Sequence, residues 1–577
     1  MSKGKNNIKF APAKYQRTNP LIQASIRTFS TSGSEFNAQS YFALVYAAYI
    51  AAKNDVDNSK DLLERFESKS SERKEIVTSL AGANLNAVFQ LAREYYADEL
   101  LAYMYACPRG VKLEGEFGTP ESISKLALKI LDAQPEEKIA DFGSGYGDFL
   151  LLAAEQYQKS ILYGIEINPS VNEISKIRAE LFSDNTEIEL GDIFALPDNK
   201  KFNKIFSNYP FGVRPKLSRQ ASEYIDDLNR RYPEIRISQS SAWVFNALVL
   251  DHLTEGGKAV VIANNSIAWN PSDRELREYF VRNGFVEAVI ALPTRLFDYT
   301  AIPATMIVFS RGNKTVRMID ATELCEQGRR VNLLTDSSID SIVKLLAEGG
   351  ENALTVDLKR LQDHDYTLDP FHYFEEPVEI KNGVEFASLI KRVTRGAALT
   401  ARELDEMVSL TPTDTQYLML ANIQNGFISE DLPYLDGLNS KLEKYLVKNR
   451  NLLLSKIGAP VKVAVAEVED GRKLLGNGNL FIIELDEQKV NPYYLQAYLN
   501  SETGTEALRS IVVGAAIPNI SIESLKRLTV PLPPMKEQNE IAELFQAKRK
   551  EIKSLQSKLQ KIQNELKYFF NKEKRHV

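Results

Sequence analysis

The sequence predicts an α/β protein organised around a doubly wound, mostly parallel sheet, with a helical segment before it, an α+β segment after it and one long helix at the end. Three observations predict this. From about 115 to 325, short apolar runs bounded by turn residues alternate with helix-spaced runs, as in ESISKLALKIL then KIADFG, and such alternation builds a sheet with helices on both faces. From about 35 to 107 the chain is nearly free of proline and carries helical spacing, as in YFALVYAAYIAAK. Near the end, Ile552, Leu555, Leu559, Ile562, Leu566 and Phe569 recur in steps of three and four, the period of a coiled-coil seam.

Bulk properties bound the function classes. A chain of 577 residues, 44% of them hydrophobic, supports roughly three or four domains. A formal net charge of −6 excludes a wholly basic nucleic-acid binder but not a local basic surface. Two cysteines, Cys107 and Cys325, and four scattered histidines offer neither a disulfide framework nor metal-ligand spacing, so no metal is expected. No apolar run reaches membrane-spanning length and MSKGKNNIKFAPAKYQRT lacks an apolar signal core. A soluble, cytoplasmic protein is the expectation.

The elements follow in order. Residues 1–110 form a basic arm and a small helical domain; 111–330 carry strands KIADFG, ILYGIEI, TEIELGD, KIFSN, KAVVIAN, VEAVIALP and ATMIVFSRG with helices between them. Residues 331–382 read as a helical linker, 383–535 as mixed strands and turns, and 536–577 as the terminal helix. The segment KLSRQASEYIDDLNRRYPEIRIS, with Arg214 just before it, interrupts the sheet pattern with six basic residues, Arg214, Lys216, Arg219, Arg230, Arg231 and Arg236.

The chemistry concentrates at strand ends, where sheets of this kind hold their ligands. Asp141-Phe142-Gly143-Ser144-Gly145-Tyr146-Gly147 follows a strand and opens a helix; glycines there let the backbone approach a ligand and the helix start presents unpaired N–H groups. Glu166 closes the next strand, placed as a ribose-diol acceptor. Asp192 stands in the equivalent place one strand later, suited to an adenine amino group, with Ile193 or Ile167 against the ring face. Asn208-Tyr209-Pro210-Phe211 ends the fourth strand. Taken alone, the glycine loop also describes an ordinary strand–helix turn, and the last four residues a turn with Phe211 packed inward.

Together, GEFGTPESISKLALKIL, the glycine loop, NYPF and EGGKAVVIANNSIAW…AIPATMIVFSR resemble the adenine-N6 DNA methyltransferases that serve as modification subunits of type I restriction systems. The resemblance covers about residues 80 to 325 and implies a Rossmann-like domain dependent on S-adenosylmethionine. It implies that Phe117, Thr119 and Pro120 line the methionine end of that cofactor, that Asp141, Gly143 and Gly145 hold the same moiety, and that Glu166 holds the ribose. It implies that Asn208 is catalytic together with Tyr209, Pro210 and Phe211. Family members commonly have proline where Tyr209 stands and a second phenylalanine where Gly118 stands. An exocyclic amine is a poor nucleophile, and two acceptors, the Asn208 side-chain oxygen and the Tyr209 carbonyl, would favour its sp³ form. Phe211 would stack on the base once it has left the duplex.

From about 383, NRNLLLSKIG, NPYYLQAYLNSETGTEALRS and GAAIPNISIESLKRLTVPLPPMKEQNEIAELF resemble one half of a type I specificity subunit. This implies one target-recognition domain and one long spacer helix. The seam of that helix, extended by Ile541 and Phe545 and interrupted by Lys548, implies pairing with a second copy, hence a homodimer that reads a two-part site on double-stranded DNA; packing on its own domain is the alternative, and the orientation stays open. Lys448, Arg450 and Lys456 are candidate DNA contacts or solvated charges. No helicase phosphate loop or nuclease constellation is found, so cleavage would belong to a separate restriction subunit. The competing readings are a DNA-recognition and assembly subunit with little or no turnover, and a methyltransferase for another substrate.

Overall fold

The computed structural model describes residues 38–67, 85–105, 118–209, 218–238, 241–297, 303–329, 331–374, 380, 383–512 and 518–567. The chain divides into two compact units, Met1–Phe374 and Glu375–Val577.

The first unit is built on a nine-stranded sheet of order β3-β2-β1-β4-β5-β7-β6-β8-β9. Its strands are β1 Lys138–Phe142, β2 Ile161–Glu166, β3 Thr186–Leu190, β4 Phe202–Ser207, β5 Leu253–Asn264, β6 Val286–Ala291, β7 Ala304–Phe309, β8 Thr315–Asp320 and β9 Ala353–Asp357. The first five run parallel; β7 is antiparallel to both neighbours and β9 to β8. The continuous apolar runs follow from burial on both faces. Ala140, Phe142, Ala259 and Val261 enter one core, while Ile139, Phe206, Val260 and Ile262 enter the other.

The longer helices of this unit are α1 Ala38–Asn54, α2 Ser59–Glu67, α3 Asn86–Glu94, α4 Ala97–Tyr105, α5 Glu121–Leu131, α6 Asp148–Gln156, α7 Pro169–Phe182, α8 Arg219–Arg231, α9 Trp243–His252, α10 Arg274–Arg282 and α11 Asp336–Glu348. Helix α9 is largely apolar and, Asp251 aside, buried along its length, as expected of a central helix. The expected small helical domain differs in one respect. Helices α1 to α4 share a core with Tyr146 and with Val171, Ile174 and Ile177 of α7, so they are built onto the sheet rather than closed on themselves. Arg178 of α7, fully buried, joins the two parts: its guanidinium donates to the carbonyls of Met104, Tyr105 and Tyr146 and to the Asp148 carboxylate at 2.8 Å.

Residues 331–374 are not a linker. Ile339 and Ile342 of α11 enter the second core, and β9 is the outermost strand of the sheet. The reason is that these residues cover both faces of β8: Leu361 and Tyr373 share the first core with Met318, and Ile339 and Ile342 share the second with Ile319.

The second unit has an antiparallel four-stranded sheet of Ile390–Arg395, Leu480–Leu485, Leu452–Ser455 and Val463–Val465 and a five-stranded sheet of short strands. Helix Pro492–Leu499 contributes Leu495 and Leu499 to the core over the first sheet. The terminal helix runs from Met535 to Lys567. Its first half is tied down. Gln538 donates to the carbonyls of Pro533 and Lys489, Ala542 enters the core, and Arg549 donates to the Gly426 carbonyl at 2.6 Å over the Phe427 ring. From Lys550 to Leu566 every residue is exposed.

Candidate active site

Register places the predicted strand ends side by side. Phe142 lies opposite Ile165 on one side and Ser207 on the other, so Gly143, Glu166 and Asn208, each one residue further on, share one edge. Glu166 is opposite Leu190, which brings Asp192 to the same edge. Ser207 fastens the row by donating its hydroxyl to the Phe142 carbonyl at 2.8 Å.

The glycine loop is shaped by backbone it alone can adopt. Gly143 and Gly145 have φ of +76° and +52°, and the space where a Cβ would stand is open at both. The Gly143 and Ser144 N–H groups both donate to the Ile165 carbonyl at 3.0 Å. Glu166 closes the loop: Oε2 accepts from the Gly145 N–H and Oε1 from the Asn168 N–H, both at 2.9 Å. Each carboxylate oxygen keeps a second lone pair, so the same group can accept from a diol while it holds the loop.

Asp141 is 3% exposed and its Oδ1 has no hydrogen-bond partner among the described residues. Burial, then the charges of Glu166 and Asp148, hold its carboxyl well above the usual carboxylate range. An unpartnered buried carboxylate is costly, and a cation would relieve it. Beyond Glu166, Ile167 is 63% exposed, an apolar side chain free to lie against a flat ring. Ile193 packs partly on the core, and Asp192 Oδ1 accepts from the Phe194 N–H at 3.0 Å, which fixes the turn that follows β3. An orphaned acid, open glycines and an exposed aliphatic side chain fit S-adenosylmethionine, which carries an ammonium, a sulfonium and an adenine.

Asn208 is 8% exposed. Its Nδ2 donates to the Thr119 hydroxyl at 3.0 Å. This bond orients the amide and leaves Oδ1 without a partner among the described residues. Thr119 thus has a contact that the sequence did not reveal, because the two residues are 89 positions apart. Pro120 sits next to it as the residue before α5. Tyr209 is buried at 5% exposure with its ring stacked on Phe245 at 4.6 Å and 14°. Phe117, Pro210 and Phe211 lie outside the described residues.

The basic segment after the fourth strand is largely self-paired. Arg219 bonds Glu223, Arg230 bonds Asp227, and Arg231 bonds Asp227 and Asp251; Arg214 and Lys216 fall outside the described residues. In the second unit Lys448 and Arg450 pair with Glu484 and Glu487.

Comparison with known proteins gives a family for each part of the chain. The profile of the N-6 DNA methylase family matches residues 95–382, and that of the type I restriction modification DNA specificity domain matches residues 414–564. The first stretch therefore belongs to the N-6 DNA methylases and the second to the type I specificity domains. The chain is 24% identical over 339 residues to the type I restriction enzyme MjaVII methylase subunit of Methanocaldococcus jannaschii, covering 53% of this chain and 56% of that protein. It is also 24% identical over 343 residues to the MpnII methylase subunit of Mycoplasma pneumoniae, covering 54% and 62%. The chain thus spans little more than half the length of these relatives. Among solved structures, the DrdV–DNA complex has a similar fold, with a TM-score of 0.54 at 10% identity over 92% of this chain and 69% of that one.

Proposed function

We propose that this chain is a DNA adenine-N6 methyltransferase that carries its own target-recognition domain and acts in a restriction-modification system on cytoplasmic double-stranded DNA. The observation that carries the reading is the Asn208 amide, oriented by Thr119 with its oxygen free, on the same sheet edge as Glu166 and the orphaned Asp141. S-adenosylmethionine, when bound, supplies an activated methyl group. Asp141 and the Gly143–Gly145 backbone would hold its charged end, Glu166 its ribose and Asp192 its adenine, with Ile167 and Ile193 against the ring. Asn208 Oδ1 and the Tyr209 carbonyl would each accept one hydrogen of the target amine, and Phe211 would stack on the extruded base. Alignment of two bound reactants supplies much of the rate.

The terminal helix supports a homodimer. Ile541, Leu544, Ile552, Leu555, Leu559, Ile562 and Leu566 are all exposed along it. Phe545, expected in the seam, instead packs beside Arg549, and Leu544 takes its place. Glu537, Glu540 and Glu543 precede Lys548, Lys550, Lys553, Lys558 and Lys561, so antiparallel pairing of two copies would set opposite charges together. Two identical recognition domains would then read a two-part inverted site, and a separate subunit would supply cleavage.

The test is single-molecule sequencing with modification detection on DNA from cells expressing the wild type and Asn208→Ala. N6-methyladenine at a two-part palindrome, present only with the wild type, is the expected result. No methylation from a folded protein that binds S-adenosylmethionine would favour an assembly subunit instead.

A further inference from the structure

Behind the proposed catalytic residues lies a buried polar pair that no step of the reaction uses. β4 delivers Asn208 and then Tyr209, whose ring enters the core against Phe245 of α9. Phenylalanine would fill that space equally well. The Tyr209 hydroxyl nevertheless has no hydrogen-bond partner among the described residues, and a buried hydroxyl left so costs about 1–3 kcal/mol. Asp273, just before α10, is 1% exposed. One of its oxygens accepts from the Ser241 hydroxyl at 2.5 Å, and that same Ser241 oxygen takes the Trp243 N–H at the start of α9. Its Oδ2 has no partner among the described residues. Arg277 faces the same carboxyl, but its Nε and Nη1 are given to the carbonyls of Tyr366 and Asn270. Burial first, and then the charge of Asp273, push the Tyr209 phenol up. One unpartnered donor and one unpartnered acceptor are therefore both held against the start of α9, the first through Phe245 and the second through Ser241.

We propose that Tyr209 and Asp273 are positioning residues: the phenol donates to the free Asp273 oxygen in the working enzyme and locks the strand end that presents Asn208 to the base. Asp273 already holds Ser241 at the foot of α9, and Phe245 on that helix carries the Tyr209 ring. The lock thus ties the end of β4 to one rigid helix at two points. The neighbouring residue then keeps its side-chain oxygen and the Tyr209 carbonyl in a fixed relation. This rests on the reading of Asn208 given above.

Tyr209→Phe, Asp273→Asn and the double variant, in the full chain, test it. Initial methylation rates would be measured with labelled S-adenosylmethionine on genomic DNA from cells that lack adenine methylation, and cofactor affinity by calorimetry. Each single variant is expected to lower kcat roughly 10- to 100-fold, to leave the cofactor Kd and KM within about twofold, and the double to be no worse than the worse single. Full kcat in Tyr209→Phe, losses that multiply in the double, or a Tyr209→Phe protein that no longer binds cofactor would each overturn the proposal. Asn208→Ala, run alongside, separates the two readings. If it methylates normally, the catalytic assignment fails; if it is inactive while Tyr209→Phe is fully active, only the lock fails.

Discussion

At the scale of single residues, Asp141 makes a pH prediction. Burial and the neighbouring charges of Glu166 and Asp148 raise its pKa, so the free protein holds a proton there to higher pH than an ordinary aspartate does. A cationic ligand selects the carboxylate, and binding must release that proton. Affinity for S-adenosylmethionine should therefore climb as pH rises through the raised pKa and level off above it. Calorimetry in buffers of different ionisation enthalpy would detect the released proton. Asp141→Asn should weaken binding at least about tenfold and flatten the pH dependence; a flat wild-type profile would contradict the assignment. Thr119 makes a second prediction. Thr119→Val frees the Asn208 amide and should lower kcat about tenfold, while Thr119→Ser should keep most activity. The place of Asp141, Glu166 and Asn208 at one sheet edge could be read in the sequence because each stands within one residue of the end of a strand. The Thr119 hydroxyl and the Asp273 carboxyl could not, since their partners are distant in the chain and no local pattern announces them.

At the scale of elements, the inner strands were readable because burial on both faces makes them largely apolar, while β8 and β9 were not. Their sequences, TVRMID and ALTVD, mix exposed and buried positions near the sheet's edge, and the α11 pattern between them masks their pairing. Only the register, Thr315 against Asp357 through Ile319 against Ala353, reveals them. The apolar stripe of the terminal helix was readable in the sequence, but not that Phe545 lies beside Arg549 while Leu544 is exposed. If the exposed stripe pairs two copies, Leu555→Lys with Leu559→Lys should halve the mass seen by sedimentation and abolish methylation at the two-part site. Cofactor binding should survive. An unchanged mass would show that the stripe does not join copies.

At the scale of the whole molecule, the helical segment and the sheet of the first unit depend on each other through Arg178. Removing one member of a buried, hydrogen-bonded ion pair leaves the other uncompensated, at a cost of about 3–5 kcal/mol. Arg178→Met should thus destabilise the first unit by that amount, seen in chemical unfolding as a lower denaturant midpoint. Composition and periodicity located these helices but gave no hint that they lean on α7.

That dependence has a bearing on how the protein is made. The last turn of α4 is finished by a side chain 74 residues further along. At roughly 5–20 residues per second, the ribosome needs several seconds to release Arg178 after Met104 has emerged. For that interval the leading helices have their apolar faces formed and nothing to set them on. The nascent chain is most exposed to aggregation then, and a chaperone would find most to hold.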